Sequence, residues 1–324
     1  MSCGNYYKYR SLILESRGKK MLFPNKLKTG DTIAIIAPSS PVTKDEADSC
    51  KKLVEDMGYN VKMGKCTYES IHGYSAGTGK SRAEDINEMF ADKEVKAIWC
   101  IRGGDTSSHT MDKLDFNLIK NNPKIFVGYS DVTNLNINFN QKCGFITFHG
   151  PMVKSNMLNA YDKFTKLSFE KALNMQDELI LENPAREDFK VMIEGSAEGT
   201  IIGGNLSLIV SMIGTPYEID TKDKILFIED VDENVKRLDR MMYQLKYSNK
   251  LNDAAGIIFG DFSDCINEKD EDYTVVEMLK DVLIDYKKPV MYNIKSGHCF
   301  PMSTIPLGAN CNIDTKLKMI KFSI

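Results

Sequence analysis

Short apolar segments alternate with helical segments over about 120 residues, and this alternation limits the folds open to the chain. Residues 32–38 form an apolar run ended by proline, as expected of a strand buried on both faces of a parallel sheet. The alternation predicts an α/β domain with an open, mostly parallel sheet flanked by helices, of flavodoxin-like type, with right-handed crossovers. Four further apolar segments fit the same pattern, at residues 59–63, 97–101, 125–127 and 145–148.

The length of 324 residues favours two domains. We expect residues 1–24 to be a disordered N-terminal extension and residues 25–151 to form the first α/β domain. Residues 152–195 are polar and charged, which predicts a linker with a single helix. Residues 196–324 then form a smaller, β-rich α/β domain at the C-terminus.

Composition narrows the expected partners. The net charge is −3, from 42 basic and 45 acidic side chains, so nucleic acid is not expected as a partner. No apolar stretch approaches the ~18 residues of a membrane span, so no membrane partner is expected either. The eight cysteines include no Cys-x-x-Cys pair, and several lie inside apolar runs, which is typical of reduced thiols in a cytoplasmic protein.

A serine stands between the fourth apolar segment and the helical pattern that follows it. Residues 128–131, Gly-Tyr-Ser-Asp, are too few for a loop, so Ser130 is expected at the apex of a strand-to-helix turn. That position suits a nucleophile, because the free N–H groups of the helix are directed at the oxyanion that it creates. The alternative is a helix cap, since serine is favoured there and Val132 replaces the usual second glycine of a nucleophile elbow.

No cofactor or metal is expected. Residues 77–81, Gly-Thr-Gly-Lys-Ser, end like a phosphate-binding loop, but Tyr74 stands where that loop requires its first glycine. The residues before it are polar and do not form the buried strand that such a loop must follow. The four histidines are dispersed, and none belongs to a His-Glu-x-x-His motif or a Cys-His cluster.

Candidates for a general base are few, because histidine is the usual base near neutral pH. His72 and His109 lie in polar segments and are interpreted as surface residues. His149 ends an apolar segment, whereas His298 lies in a turn bounded by glycine and proline, where a positioned side chain is often held. Glu229 ends another apolar segment, and its alternatives are a solvated strand end or a cap for the next helix.

Taken together, these motifs resemble those of the bacterial LD-carboxypeptidases, also called muramoyl-tetrapeptide carboxypeptidases. The likeness covers about residues 26–322, nearly all of the chain beyond its N-terminal extension. The motifs that carry it follow the order of the family: residues 36–41, 101–104, 128–131, 149–151, 203–207, 228–231, 237–241, 297–298 and 305–309.

The resemblance implies a metal-free serine peptidase whose site forms at the junction of the two domains. Ser130 would be the nucleophile, His298 the general base, and Glu229 the carboxylate that orients and charge-compensates the imidazole. The backbone N–H groups of Gly104 and Asp131 would form the oxyanion hole. Family members remove the terminal D-alanine from an L-centre in murein tetrapeptides, in the cytoplasm during wall recycling, and are commonly homodimers.

Substrate contacts and substrate class stay open. Arg102, beside Gly103, is suited to bind a free carboxylate, although a surface arginine fits equally well. Asn205 is expected either to contact substrate or to cap a buried helix. A related branch, the microcin C immunity peptidases, uses the same triad on peptidyl-adenylate analogues. The most distant alternative is a non-catalytic binding module, which the fold alone would permit.

Overall fold

The computed structural model describes residues 21–324. The expectation that residues 1–24 are disordered therefore concerns a segment that lies almost wholly outside the described residues. Near the start of the described residues, Leu22 forms a parallel bridge with Phe145, and its N–H donates to the carbonyl of Gly144 at 3.0 Å. Residue 22 is thus already attached to the first sheet.

Between residues 32 and 149 the helices alternate with strands, as the sequence predicts. Lys44–Asp56 illustrates how they form, since Thr43 and Glu46 make a capping box at its start and Ala47, Cys50 and Val54 are buried on one face. In chain order the helices are α1 (Lys44–Asp56), α2 (Gly79–Ala91), α3 (Phe116–Asn121), α4 (Thr133–Asn138), α5 (Lys163–Leu173), α6 (Leu206–Ser211), α7 (Val235–Tyr247), α8 (Lys250–Asp253) and α9 (Val275–Val282).

The strands of the described residues form two sheets. In chain order they are β1 (Thr32–Ile36), β2 (Asn60–Met63), β3 (Val95–Cys100), β4 (Ile125–Val127), β5 (Thr147–His149), β6 (Glu178–Ile180), β7 (Lys190–Ile193), β8 (Ser196–Asn205), β9 (Ile225–Val231), β10 (Gly256–Ser263), β11 (Val290–Tyr292), β12 (Ile305–Leu307), β13 (Asn310–Asp314) and β14 (Met319–Ser323).

The first sheet has six strands in the order β12-β5-β4-β3-β1-β2. Strands β1 to β5 pair in parallel, and their order of 2-1-3-4-5 is that of a flavodoxin-like sheet, as the alternation predicts. The added edge strand β12 runs antiparallel to β5. Because the carboxyl ends of the parallel strands share one edge, the segments after β3, β4 and β5 meet there.

The second sheet has eight strands in the order β6-β14-β13-β8-β9-β10-β11-β7. Its centre, from β8 to β11, is parallel, and antiparallel strands extend it on both sides. Strands β6 and β7 are its two edges, and both lie in the segment that was expected to be a linker. They are short and partly exposed, so the sequence there lacks the continuous apolar run of a central strand.

The two halves of the chain are interlocked. The strand β12 comes from the C-terminal region but pairs with β5 of the first sheet, after which β13 and β14 return to the second sheet. One cluster of buried apolar side chains contains Ile33 and Trp99 from the first sheet together with Phe227 and Ile313 from the second. The carboxyl ends of β4 and β9 are therefore held in a fixed relation. None of the helices within residues 21–324 is long and apolar enough to cross a membrane.

Candidate active site

Ser130 occupies a sharp turn at the carboxyl end of β4. The backbone at Ser130 has φ of +62°, in the left-handed region that residues other than glycine seldom adopt. The residue begins a single 3-10 turn, Ser130–Val132, which leads directly into α4. Neither helical start has a capping hydrogen bond from a side chain, so Ser130 is not acting as a helix cap. A strained serine on a strand-to-helix turn is the arrangement of a nucleophile elbow.

The departure of residue 132 from the usual elbow pattern has a steric explanation. Val132 packs over Gly128, where a Cβ atom would lie 2.8 Å from Val132 Cγ1 and 3.1 Å from Cys100 Sγ. The tight approach of helix to strand is thus made possible by the glycine before the serine. A side chain at residue 132 is tolerated because its neighbour at 128 has none.

Glu229 and His298 meet directly, as the family resemblance implies. Glu229 is the fifth residue of β9 and its side chain is fully buried. Its Oε2 atom lies 2.8 Å from Nδ1 of His298. With Nδ1 engaged by the carboxylate, Nε2 on the opposite side of the ring is the nitrogen left for a proton transfer.

The electrostatics of this pair suit a general base. Burial raises the pKa of the Glu229 carboxyl, and the adjacent His298 opposes that rise. Burial disfavours the charged imidazole, but Glu229, with smaller contributions from Asp230 and Asp261, outweighs it, so the pKa of His298 is raised above its ordinary 6.5. The imidazole is thus a stronger base than a free histidine.

The segment that carries His298 connects β11 with β12 and is fixed at several points. The carbonyl of Ser296 accepts from Asp261 N at 3.0 Å, and Lys295 Nζ lies 3.0 Å from Asp261 Oδ2. On the other side of the segment, Ser303 N donates to the carbonyl of Lys295 at 2.6 Å. The histidine is therefore held on the second sheet although its chain is crossing to the first.

Tyr129 brings the nucleophile turn to the imidazole. The centroid of its ring lies 4.9 Å from that of His298 in an edge-to-face arrangement, and the tyrosine is almost fully buried. Because Tyr129 precedes Ser130, this contact places the serine and the imidazole at one corner of the junction between the sheets. The structure thus brings the three predicted triad residues to a common region: Glu229 bonds His298, and His298 packs on the residue next to Ser130.

His149 is not part of that chain of contacts. Its ring is fully buried between Tyr129, at 5.5 Å between centroids, and Phe227, at 5.0 Å. Burial, together with the charge of His298, lowers the pKa of His149 to about 3. His149 is therefore neutral near pH 7 and serves as a packed ring behind Tyr129.

The loop after β3 lies against the nucleophile. A Cβ atom on Gly103 would lie 3.0 Å from both Cβ and Oγ of Ser130, so only glycine permits this approach. Gly104 follows with φ of +150°, and a Cβ atom there would overlap the hydroxyls of Ser39 and Ser40. The loop that carries the two glycines therefore packs between Ser130 and the serines that follow β1.

Of the predicted substrate contacts, Asn205 has a clear structural role. Its Oδ1 accepts from Leu208 N at 3.2 Å and so caps α6, while its Nδ2 donates to Asp230 Oδ1 at 2.8 Å. Arg102 is partly exposed, and its Nη1 is 3.4 Å from the carbonyl of Pro41. The guanidinium of Arg102 has room for a second partner, whereas the amide of Asn205 is already engaged at both ends.

Sequence reasoning missed several residues that support the site. Asp230 is buried and accepts hydrogen bonds from Asn205, Ser207 and Val231, which fixes the residue next to Glu229. The sequence did contain a signal for Asp230, since it is a second carboxylate directly after Glu229 in an apolar strand. Successive side chains of a strand face opposite sides of the sheet, so Asp230 is expected to face away from Glu229.

Within residues 21–324, no group of three histidine, cysteine, aspartate or glutamate side chains is placed to hold a metal ion.

Comparison with known proteins adds to this geometry. The chain matches the LD-carboxypeptidase N-terminal domain over residues 33–150 and the LD-carboxypeptidase C-terminal domain over residues 198–313. A "Probable murein peptide carboxypeptidase" of Bacillus subtilis (strain 168) is 41% identical over 299 residues, covering 91% of this chain and 92% of that protein. The "Microcin C7 self-immunity protein MccF" of Escherichia coli is 30% identical over 329 residues, covering 92% and 94%.

Solved structures agree with the sequence relatives. MccF in complex with glutamyl sulfamoyl guanosine superposes with a TM-score of 0.86 at 27% identity, covering 93% of this chain and 98% of that one. A muramoyltetrapeptide carboxypeptidase from Oxalobacter formigenes gives a TM-score of 0.78 at 28% identity, covering 90% and 97%. Both domain matches, the identity to relatives and the fold point the same way, and the chain belongs to the LD-carboxypeptidase family of peptide hydrolases.

Proposed function

We propose that this carboxypeptidase removes the C-terminal D-alanine from an L-centre of murein tetrapeptides through a Ser130–His298–Glu229 triad. The observation that carries the proposal is the 2.8 Å contact between His298 Nδ1 and the buried Glu229, with the imidazole packed on Tyr129, which precedes a serine held at φ of +62°. Support for the substrate comes from the relative named as a murein peptide carboxypeptidase, at 41% identity over most of both chains.

In the proposed mechanism each of the three groups has one role. Ser130 Oγ attacks the carbonyl carbon before the terminal residue, and its proton moves to Nε2 of His298. The resulting oxyanion is stabilised by the backbone N–H groups of Gly104 and Asp131. His298 then protonates the leaving amine, so D-alanine departs and an ester with Ser130 remains. Water, deprotonated by the same imidazole, hydrolyses that ester and frees the serine.

Glu229 acts through His298 in this scheme. Its carboxylate fixes the imidazole tautomer with the proton on Nδ1 and compensates the positive charge that develops when Nε2 takes the serine proton. Burial of Glu229 excludes water from the contact and strengthens this interaction. No metal or cofactor is required for any of these steps.

Recognition of the free carboxylate is assigned to Arg102. The loop that places Gly103 against Ser130 also carries Arg102, whose side chain is partly exposed. A guanidinium binds a carboxylate through two parallel hydrogen bonds, so an amidated tetrapeptide should be a poor substrate. Loss of this preference in Arg102→Ala supports the assignment, and an unchanged preference contradicts it. Following the family pattern, we place the reaction in the cytoplasm and the enzyme in a homodimer.

A second candidate activity is hydrolysis of a microcin C-type peptidyl or aminoacyl adenylate by the same triad. It is favoured by the TM-score of 0.86 with MccF, against 0.78 with the muramoyltetrapeptide carboxypeptidase. We prefer the murein substrate because sequence identity is higher on that side, 41% against 30%.

Parallel assays separate the candidates. Purified enzyme is incubated with murein tetrapeptide and with an aminoacyl-sulfamoyl adenylate, and the products are measured by mass spectrometry. Loss of one alanine from the tetrapeptide, with slow or no turnover of the adenylate analogue, supports the proposal. The reverse pattern supports the second candidate. No reaction with either compound would favour a binding module instead.

A further inference from the structure

Arg82 is a buried arginine that the proposed mechanism does not use. Its side chain projects from α2 and is almost completely inaccessible to solvent. Nη1 donates to the carbonyls of Pro38 at 2.5 Å and Thr106 at 2.9 Å, and Nε donates to the carbonyl of Gly77 at 3.2 Å. One guanidinium therefore joins three loops that are distant along the chain.

Two of these loops are also bonded to each other. Thr106 N donates to Ser39 Oγ at 3.1 Å, and Ser40 N donates to the carbonyl of Gly103 at 3.3 Å. We call residues 101–107 the oxyanion loop, because it contains the predicted N–H donor of Gly104. On this side the oxyanion loop rests on the residues that follow β1.

On its other side the oxyanion loop is bonded to the residue after the nucleophile. Ser107 N donates to Asp131 Oδ2 at 2.7 Å, and Ser107 Oγ donates to the carbonyl of Asp131 at 2.5 Å. Both proposed oxyanion donors, at residues 104 and 131, are thus parts of one hydrogen-bonded assembly. Asp131 is completely buried, and its carboxylate faces the oxyanion loop and not solvent.

Arg82 also places a buried guanidinium beside this assembly. A guanidinium stays protonated in proteins, and a buried one needs a nearby anion. Burial lowers the pKa of Arg82, and the charge of Asp131 opposes that effect. The established contribution of Arg82 to the assembly is its three hydrogen bonds to loop carbonyls.

We propose that Arg82 is a positioning residue for the oxyanion hole, and this rests on the proposed function. It touches no substrate, but holds the oxyanion loop at the distance from Ser130 at which the N–H groups of residues 104 and 131 converge. The loop has little freedom to move, because a Cβ atom at residue 103 would lie 3.0 Å from Ser130 and one at residue 104 would overlap Ser39 and Ser40. Displacement at residue 106 would therefore move the donor at residue 104. Such a shift weakens binding of the transition state more than binding of the substrate.

The test compares Arg82→Met with Arg186→Met, which replaces an exposed arginine. For Arg82→Met we expect kcat on the tetrapeptide to fall about 10- to 100-fold while KM changes less than about twofold. Affinity for a tetrahedral phosphonate analogue should fall by the same factor as kcat, and affinity for the tripeptide product should not. Arg186→Met should match the wild type in every measurement.

A role in folding alone predicts a different result. Arg82→Met would then lose thermal stability while the folded fraction kept the wild-type kcat and phosphonate affinity, and that outcome overturns the proposal. If Arg82→Met does not fold, Arg82→Lys and Ser107→Ala take its place. Lysine keeps the positive charge but lacks the several N–H donors of a guanidinium, so the kcat of Arg82→Lys should lie below that of the wild type. Ser107→Ala should likewise show a lower kcat with little change in KM. A wild-type kcat in both variants also overturns the proposal.

An error in the substrate assignment can be distinguished from an error in the role assigned to Arg82. The rate at which a fluorophosphonate modifies the nucleophilic serine needs no peptide substrate, but it depends on the oxyanion hole. If the wild type reacts with the fluorophosphonate and leaves the tetrapeptide intact, the substrate assignment is wrong. If Arg82→Met reacts with the fluorophosphonate as fast as the wild type, the role of Arg82 is wrong.

Discussion

Gly297 packs directly against the carboxylate of Glu229, and a Cβ atom at residue 297 would lie 2.6 Å from Glu229 Oε2. The backbone of Gly297 has φ of +129°, which side-chain-bearing residues rarely adopt. The absence of a side chain here allows His298 to approach a carboxylate that is itself fully buried. The glycine of the Gly-His pair is thus part of the geometry of the base.

Replacing this glycine should damage catalysis more than folding. In Gly297→Ala the added methyl displaces Glu229 Oε2 or turns the imidazole, and we expect kcat/KM to fall about 100-fold, since small misplacements in an active site have effects of that size. Gly30→Ala is the matched control, because Gly30 also has positive φ, +87°, but nothing lies within 4 Å of the added atom. Steady-state kinetics in which both variants lose activity equally would contradict the account.

The pH dependence of activity should report the charge of Glu229. The neutral imidazole is the base, and the pKa of His298 is raised above 6.5, so kcat/KM should fall as pH drops through an inflection above 6.5. In Glu229→Gln the attraction that favours the imidazolium is lost, and the inflection should move to lower pH. The plateau rate should also drop, by roughly 10³- to 10⁴-fold, because the tautomer is no longer fixed. An unchanged inflection in that variant would contradict the assigned role of Glu229.

His149 should make the protein sensitive to acid. Its pKa is about 3 in the folded protein and about 6.5 in the unfolded chain, so below pH 6.5 the unfolded state binds the additional proton. Stability from this group is complete above pH 6.5 and decreases as pH falls, by about 1.4 kcal/mol for each unit. Between pH 7.5 and 5, His149→Phe should therefore lose about 2 kcal/mol less free energy of unfolding than the wild type.

Urea unfolding at the two pH values measures that difference. The exposed His72 provides the matched variant, His72→Phe, which retains His149 and should keep the wild-type pH dependence. Equal losses in all three proteins would mean that His149 is not held neutral in the folded state.

Replacement of Asn205 distinguishes a cap from a substrate contact. Because its amide caps α6 and bonds Asp230, Asn205→Ala should lower the free energy of unfolding by about 1–2 kcal/mol. KM should change less than about twofold, since both ends of the amide are already hydrogen-bonded within the protein. Asn234→Ala, at the equivalent cap of α7, is the control for the loss of a cap alone. A large rise in KM specific to Asn205→Ala would show that the amide binds substrate.

The fold could be predicted where apolar runs are continuous and connections are local. Strands such as β1 and β3 are buried on both faces, so their sequences show them plainly. The pairing of β12 with β5 could not be predicted, because β12 is short and its partners are distant along the chain, from 156 positions for Ile305 and His149 to 160 for Leu307 and Thr147. The edge strands β6 and β7 could not be predicted for a related reason, because they are stabilised by pairing with strands far along the chain.

The candidate site could also be predicted only in part from the sequence. Ser130, Glu229 and His298 each follow a recognisable local pattern, and the family resemblance supplied their roles. The contact between Glu229 and His298, 69 residues apart, depends on how β9 and the segment after β11 are placed, which no local pattern encodes. Arg82 was hidden for another reason. In sequence it is one more charged residue of an amphipathic helix, and only its burial reveals that it bonds three loops.

The most direct measurement of the central claim is the mass of the products formed from murein tetrapeptide by wild-type enzyme and by Ser130→Ala at equal folded concentration. We expect the wild type to release a single D-alanine and leave the tripeptide. Turnover by the serine variant should be slower by a factor of about 10⁴ or more. Circular dichroism and thermal unfolding should show that the variant is folded. Release of alanine by Ser130→Ala at the wild-type rate would contradict the account.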